Sequence, residues 1–393
     1  MSDTQKHTKP NVPNLRFPGF EGEWEEYVNE YLFSISKEKN KSLEYHTILS
    51  ASQTEGMVER DSLGIDIKYE AESVSGYKVV RPGEYVIHLR SFQGGFAFSD
   101  KTGICSPAYT ILHPKDVLSY GFLREYFMSQ KFIDSLRLVT YGIRDGKSIS
   151  VEEWMKLKTY IPKSLKEQER IREFFGLIDK RLTIQNKIIG RYQSLIRAII
   201  QLSQKKSCAH VFLRDILTER KELNTCGYDI CSVSVSKGIV NQVEYLGRSF
   251  AAKETDHYHV VKEGDVVYTK SPTGDFPYGI IKQSRVMQPV AVSPLYGVYE
   301  PQTVGIGTYL HYYFCSPQNT RNYLRRLIQK GAKNTINITN QHFLDNEIRI
   351  PDTRMLTTIV SSIDALAKRI DIEERYRDQL LRQKAFFLCE LFR

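Results

Sequence analysis

The segment Gly142-Ile143-Arg144-Asp145-Gly146-Lys147-Ser148 holds the glycine, lysine and hydroxyl of a phosphate cradle, but not at the required spacing. That motif needs four residues between its glycines, which puts Tyr141 in the first glycine's place, and no apolar strand precedes it. Cys226 and Cys231, separated by four residues, with Cys208, His210, His257 and His259 further off, do not match a compact zinc site. The chain has neither an Asn-Pro-Pro-aromatic nor an Asp-Pro-Pro-Tyr tetrapeptide, with which amino-methyltransferases hold a target amine, and Gly19 and Gly22 make no cofactor loop. A paired-carboxylate-plus-lysine nuclease pattern is absent as well. The expectation is a chain without catalysis, metal or cofactor of its own.

The residue types that remain suit recognition. Arg and Lys donate to the guanine edge in the major groove, and Gln and Asn pair with adenine. Arg90, Ser91 and Gln93 fall in the polar stretch from Leu89 to Gly95, and Lys270, Ser271 and Thr273 in the stretch from Lys270 to Asp275. A second pair of basic stretches carries Arg144 and Lys147 in one place and Lys330, Lys333 and Asn334 in the other, suited to phosphate contact. Ser52, Gln53 and Thr54, with Ser234, Val235 and Ser236, are weaker candidates, because turn hydroxyls commonly satisfy backbone groups. Each candidate has a plain alternative as an ordinary surface turn. The 55 Lys and Arg against 46 Asp and Glu leave a net charge of +9, which suits a polyanion such as double-stranded DNA where the excess is clustered.

These paired stretches exist because the chain is written twice. Tyr77-Lys78-Val79-Val80-Arg81-Pro82-Gly83-Glu84-Tyr85-Val86 returns 181 residues later as Tyr258-His259-Val260-Val261-Lys262-Glu263-Gly264-Asp265-Val266-Val267. Ser106-Pro107-Ala108-Tyr109 answers Ser293-Pro294-Leu295-Tyr296, and the run from Ile149 to Pro162 answers that from Ile338 to Pro351. So long a period means a duplicated domain, not a solenoid. Shared strands with unlike segments between them are what two different recognition tasks require.

The elements that position the candidates follow from pattern. Residues 1–22 are polar, with Pro10, Pro13, Pro18, Gly19 and Gly22, and predict a loosely held arm. Short β-branched and aromatic runs in 23–162, interrupted by a helix from Gly121 to Leu138, predict an α+β domain, which 207–351 repeats. Segments 163–206 and 352–393 predict long helices; 39 residues of helix span about 58 Å, long enough to project as a stalk or spacer. Ile171, Ile178, Gln185, Tyr192 and Ile199 fall seven apart, as do Phe174, Arg181, Ile188, Leu195 and Leu202, beside Phe175, Leu182, Ile189 and Ile196. These are heptad positions a, d and e. The second helix repeats them with Leu356, Ile363, Ile370, Arg377, Lys384 and Leu391 at a, Ile359, Leu366, Glu373, Leu380 and Phe387 at d, and Val360, Ala367, Leu381 and Leu388 at e. Two-fold symmetry between the halves predicts an antiparallel pair, the alternative being two helices packed separately on their own domains. Polar Arg181, Gln185, Glu373, Arg377 and Lys384 would set register. The six scattered cysteines form no disulfide framework and point to the cytoplasm, and no apolar run reaches the roughly 18 residues of a membrane span.

The layout resembles the specificity subunit of Type I restriction-modification enzymes over essentially the whole chain. It includes Pro13-Asn14-Leu15-Arg16-Phe17-Pro18-Gly19-Phe20 with Trp24, the paired Ile161-Pro162 and Ile350-Pro351, and Lys166-Glu167-Gln168-Glu169-Arg170-Ile171 leading to Ile178-Asp179-Lys180-Arg181. Asp364 answers Asp179, while the second copy lacks the Glu-Gln-Glu triplet. The resemblance implies two target recognition domains, each reading one part of a bipartite, asymmetric DNA sequence, and antiparallel helices that set the gap. It implies two modification subunits bringing S-adenosylmethionine, two restriction subunits bringing ATP and Mg2+, and a specificity chain that is not an enzyme. A coiled-coil DNA-binding adaptor without sequence preference, and a stand-alone methyltransferase or nuclease, are the competing classes.

Overall fold

The computed structural model describes residues 11–52, 55–63, 71–88, 95–141, 148–205, 208–246, 254–330 and 336–392. They form two compact units, one of residues 1–185 with 376–393 and one of residues 186–375.

The first unit runs β1 (Glu25–Val28), α1 (Asn29–Leu32), β2 (Phe33–Ser36), β3 (Leu49–Ser52), β4 (Gly56–Glu59), β5 (Lys78–Val80), β6 (Tyr85–Ile87), β7 (Phe96–Phe98), β8 (Gly103–Cys105) and β9 (Thr110–Pro114). It continues with α2 (Gln130–Ser135), β10 (Thr140–Tyr141), β11 (Ser148–Ile149), α3 (Val151–Lys156), β12 (Lys158–Ile161) and the start of α4 (Leu165–Ser203). A four-stranded antiparallel sheet in the order β2-β9-β6-β7 is joined by the pairs β1-β12, β3-β4, β5-β8 and β10-β11. Trp154 of α3 fills the centre of the core, its ring 5.7 Å from that of Phe33 and 5.0 Å from that of Phe96.

The second unit repeats this order. After the end of α4 come β13 (Cys208–Phe212), β14 (Leu217–Glu219), β15 (Cys231–Ser234), β16 (Gly238–Asn241), α5 (Gln242–Leu246), β17 (His259–Val261), β18 (Val266–Thr269), β19 (Ile280–Gln283), β20 (Val290–Val292) and β21 (Gly297–Pro301). Then follow α6 (Val304–Phe314), α7 (Pro317–Arg325), β22 (Gln329–Lys330), β23 (Ile336–Asn337), α8 (Asn340–Phe343), β24 (Glu347–Pro351) and α9 (Thr353–Leu391). Its sheet β14-β21-β18-β19 and pairs β13-β24, β15-β16, β17-β20 and β22-β23 match the first unit strand for strand. Phe343 takes the place of Trp154, stacked 4.7 Å from Tyr268 and 4.9 Å from Tyr299.

The repeated residues are the ones this frame needs. Gly83 and Gly264 sit at φ +94° and +86°, where a Cβ would be strained. The acid after each glycine turns back on the same turn: Glu84 Oε2 accepts the Arg81 N–H at 2.7 Å and Asp265 Oδ2 the Lys262 N–H at 2.8 Å. In the Ser-Pro-x-Tyr elements, Ser106 O accepts from Tyr109 N at 3.0 Å and Ser293 O from Tyr296 N at 2.9 Å. Ser150 caps α3 and Thr339 caps α8, each side-chain oxygen accepting from the third residue on.

Both long helices have 39 residues. Ser164 and Glu167 start α4 as a capping pair, the Ser164 Oγ accepting the Glu167 N–H at 3.4 Å. Buried Gln168 accepts from Ser119 N at 2.7 Å and donates to Pro162 O at 2.9 Å and Val117 O at 3.0 Å, so the Gln of the Glu-Gln-Glu triplet fastens the helix to its domain. In the first unit the rings of Phe174 and Phe387 lie 4.9 Å apart, and Lys384 Nζ reaches Asp179 at 2.6 Å and Glu125 at 2.5 Å. Partner numbers fall on α9 as they rise on α4, so the helices run antiparallel. Burial pushes the Glu125 carboxyl up, opposed by the Lys384 charge. In the second unit Ile196 and Ile200 share a core with Leu356, Ile359 and Ile363, with Ile199, Leu366 and Ile370 packed against it, and Tyr192 bonds Arg369.

Three expectations are corrected. Leu195 is half exposed, and Arg181 is exposed too, because the buried stripe of α4 follows positions a and e, through Ile171, Phe175, Gln185, Ile189 and Ile196, with Ile178, Ile188 and Tyr192 half-buried beside it. Positions d and e are 100° apart on a helix, and periodicity alone does not say which flanks the seam. The arm is fastened from residue 11 onward: Arg16 makes a two-pronged bond to Glu167 at 2.8 Å, Leu15 N donates to Glu390 O at 3.1 Å, and Phe17 packs on Phe174. Residues 121–138 do not form one helix, because Ser129 is extended and caps α2 instead.

Among the described residues, replacing Lys384 by Ala leaves Glu125 with its longer ion-pair contact to Arg124, at 3.5 Å. Removing one partner of a buried ion pair costs about 3 kcal/mol or more. A chemical-denaturation midpoint lowered accordingly, with Lys384→Met less affected than Lys384→Ala, is the expected result.

Candidate nucleic-acid interface

The strand pairs β6-β7 and β18-β19 are joined by the first pair of candidate segments. Arg90, Ser91 and Gln93 lie in residues 89–94, outside the described residues. The residues on either side, His88 and Gly95, are joined by a His88 N to Gly95 O bond of 2.8 Å. Arg144 and Lys147 lie in residues 142–147, also outside the described residues, between the paired strands β10 and β11. A Cβ on Gly95 would stand 2.5 Å from Ile149 Cδ1, so the chain entering β7 and strand β11 approach each other closely at these two residues. Lys333 and Asn334 are outside the described residues too, while Lys330 ends β22, whose partner β23 follows them.

The β18-β19 connection is described and is held firmly. Ser271 and Thr273 are exposed, and Lys270 is half-buried, its amine pushed down by burial against the pull of Glu219. Thr273 and Phe276 exchange backbone hydrogen bonds of 3.1 and 2.9 Å, which closes the tip, and the Phe276 ring is buried beneath it. Tyr268 Oη donates to Tyr278 O at 2.9 Å. Gly279, at φ +111°, leaves no room, since a Cβ there would lie 2.1 Å from Thr269 O. Exposed hydroxyls and a partly desolvated ammonium on a rigid loop suit hydrogen bonding to base edges or phosphates. Gly279→Ala is therefore expected to lower stability by about 1–3 kcal/mol, whereas Thr273→Ala stays within about 0.5 kcal/mol. Urea unfolding of the two variants measures the contrast.

Each unit also has a groove where the sheet meets its helical part. In the first unit it holds about 430 Å³ and is lined by Phe98, Tyr120, Arg124, Arg172, Asp179 and Lys180, with the Arg124 guanidinium 5.8 Å from the centre of the Phe98 ring. In the second it holds about 890 Å³, and Val235 and Ser236 of the β15-β16 turn line it together with Lys282, Arg285 and His311. Ser52 caps its own turn, its Oγ accepting from Glu55 N at 3.3 Å, while Gln53 and Thr54 lie outside the described residues. The reading of sequence missed Lys282, Arg285, His311, Arg124 and Arg172. A lysine inside the apolar run Gly279-Ile280-Ile281-Lys282-Gln283 was the signal available.

The His311 Nδ1 accepts the Gln283 N–H at 3.0 Å. Burial, then the charges of Lys282 and Arg285, push the imidazole from its ordinary 6.5 down to about 3. A base whose folded pKa is depressed contributes stability that is complete above about pH 6.5 and is lost as pH falls toward the folded value. The urea midpoint should thus drop between pH 7 and pH 5, and by less in His311→Gln, whose side chain never charges.

Among the described residues no group of His, Cys, Asp and Glu could hold a metal ion, and no helix is long and apolar enough to cross a membrane. No family model matches the chain, and no curated protein matches it. Among solved structures, the Type I restriction-modification system S subunit from M. genitalium is 11% identical, with a TM-score of 0.56 over 97% of this chain and 99% of that one. A structure described as the basis of complex assembly and conformational transition of the type I R-M system is 12% identical, with a TM-score of 0.52 over 94% of this chain and 97% of that one. The chain therefore has the fold of a Type I specificity subunit along nearly its full length.

Proposed function

We propose that this chain is the DNA-reading, non-catalytic specificity subunit of a Type I restriction-modification complex. Each unit reads one part of a bipartite target, and the antiparallel helices set the unread gap. The observation that carries this reading is one frame built twice with unlike segments on it. Arg90, Ser91 and Gln93 stand between one pair of strands, and Lys270, Ser271 and Thr273 between the matching pair. Unlike segments on like frames suit two unlike half-sites, so the target is not a palindrome. The likeness of fold to an S subunit over nearly the whole chain supports the assignment. Two modification subunits dock on the helices and bring S-adenosylmethionine, and two restriction subunits add ATP- and Mg2+-dependent cleavage.

The test is to map methylated adenines in DNA from cells that express this chain with a modification subunit. Two unlike short motifs around a fixed gap are expected. A single continuous motif would defeat the two-domain reading, and binding without sequence preference would favour the adaptor. Lengthening both long helices by one turn should widen the gap by about one to two base pairs, a turn rising about 5.4 Å and a base pair about 3.4 Å. Both half-sites should stay unchanged.

A further inference from the structure

Lys282 is only 5% exposed. Lysines are almost never so buried without a charged partner. Its Nζ bonds the Cys315 Sγ at 3.3 Å, and among the described residues no carboxylate lies within ion-pair distance of it. The exposed Arg285 donates to Tyr312 Oη at 2.7 Å, its guanidinium 5.5 Å from the centre of that ring, and among the described residues no carboxylate lies within ion-pair distance of it. Both line the 890 Å³ groove of the second unit. His311 beside them accepts at Nδ1, so its neutral ring carries the proton on Nε2 as a further donor. Burial, then the charges of Lys282 and Arg285, hold that imidazole neutral.

The first copy of the frame is an internal control. Val86 pairs with Ala97 where Val267 pairs with Lys282, in strands of matching register. Ser129 and Ser316 cap matching helices, so Met128 stands where the second copy has Cys315. The frame folds with alanine and methionine at these places and does not require a buried ammonium. A charge that the fold does not require, left without a counter-ion at the bottom of a groove, calls for an anion. Asp371 and Glu374 on the α9 wall line the same groove without reaching ion-pair distance of Lys282 or Arg285.

We infer that the groove of the second unit is a phosphate-binding site with Lys282 at its floor and Arg285 beside it, taking either a backbone phosphate of duplex DNA or a free phosphate group. The DNA arm rests on the function proposed above; the free-phosphate arm does not. Ser236 and Lys237 of the β15-β16 turn stand at the same groove and suit a ligand that continues beyond it.

The full chain is titrated with inorganic phosphate against chloride at equal ionic strength, and its thermal midpoint is followed. A saturable rise of about 2–4 °C is expected in the wild type. It should be lost in Lys282→Ala, which restores the first copy's residue, and in Arg285→Gln; Lys282→Met serves should the alanine variant fold poorly. An equal rise in chloride, or an undiminished rise in the variants, overturns the site. Duplex binding followed by fluorescence anisotropy separates the sources. If a backbone phosphate is the ligand, Lys282→Ala binds about tenfold more weakly and its salt slope falls by about one. If free phosphate is the ligand, duplex affinity is unchanged while the thermal response is lost. A wild-type chain that binds no duplex even together with a modification subunit defeats the proposed DNA reading, and the phosphate titration still decides this site.

Discussion

Neither long helix can bury its apolar stripe alone, and the rest of the structure depends on how that constraint is met. A helix of this length owes its stability mainly to packing of one face. In the first unit the start of α4 and the end of α9 meet in opposite directions within one core that includes Ile171, Phe175, Leu391 and Phe392. In the second unit the end of α4 and the start of α9 do the same through Ile196, Ile200, Leu356 and Ile363. Each core is therefore completed by helix from both copies of the repeat. A polar group specifies the arrangement: Lys384 of α9 lies between Glu125 and Asp179, and sliding the helices past one another would break both contacts.

The duplicated sequence keeps what the frame requires and little else. Glycine and an acid recur at the turns before β6 and β18 because one supplies the positive φ and the other accepts a backbone N–H. Asn40 and Asn224 recur because each holds its loop with two bonds to the backbone of a following tyrosine. Trp154 and Phe343 differ in type but fill the same place, as a packed core permits when volume and neighbours adjust together.

Where the frame is indifferent, the copies diverge. Ala97 and Lys282 occupy matching strand positions, one joining an apolar cluster and the other bringing a charge to a groove. The connections after β6 and β18 differ in length and composition for the same reason, since hairpin connections can change without disturbing the ladder beneath. Function on a duplicated fold is best sought at the positions where the two copies disagree.

Duplication, the α+β class and both long helices were legible in the amino-acid sequence because they depend on local pattern: recurring turn residues, period-two strands and heptads. The antiparallel pairing also followed, from the symmetry a duplicated chain must satisfy. Which flank of the a positions forms the seam was not legible, since Leu195 and Ile196 are both apolar and only the shape of the neighbouring surface buries one. The fastening of the arm was hidden because Arg16 and Glu167 are 151 residues apart and each alone reads as a surface charge. The groove was hidden for the same reason: Lys282, Arg285, His311 and Cys315 share no motif, and only folding sets one strand's lysine against a cysteine 33 residues on. Sequence determines what recurs along the chain; burial, and the charge it strands or pairs, is decided only when distant segments meet.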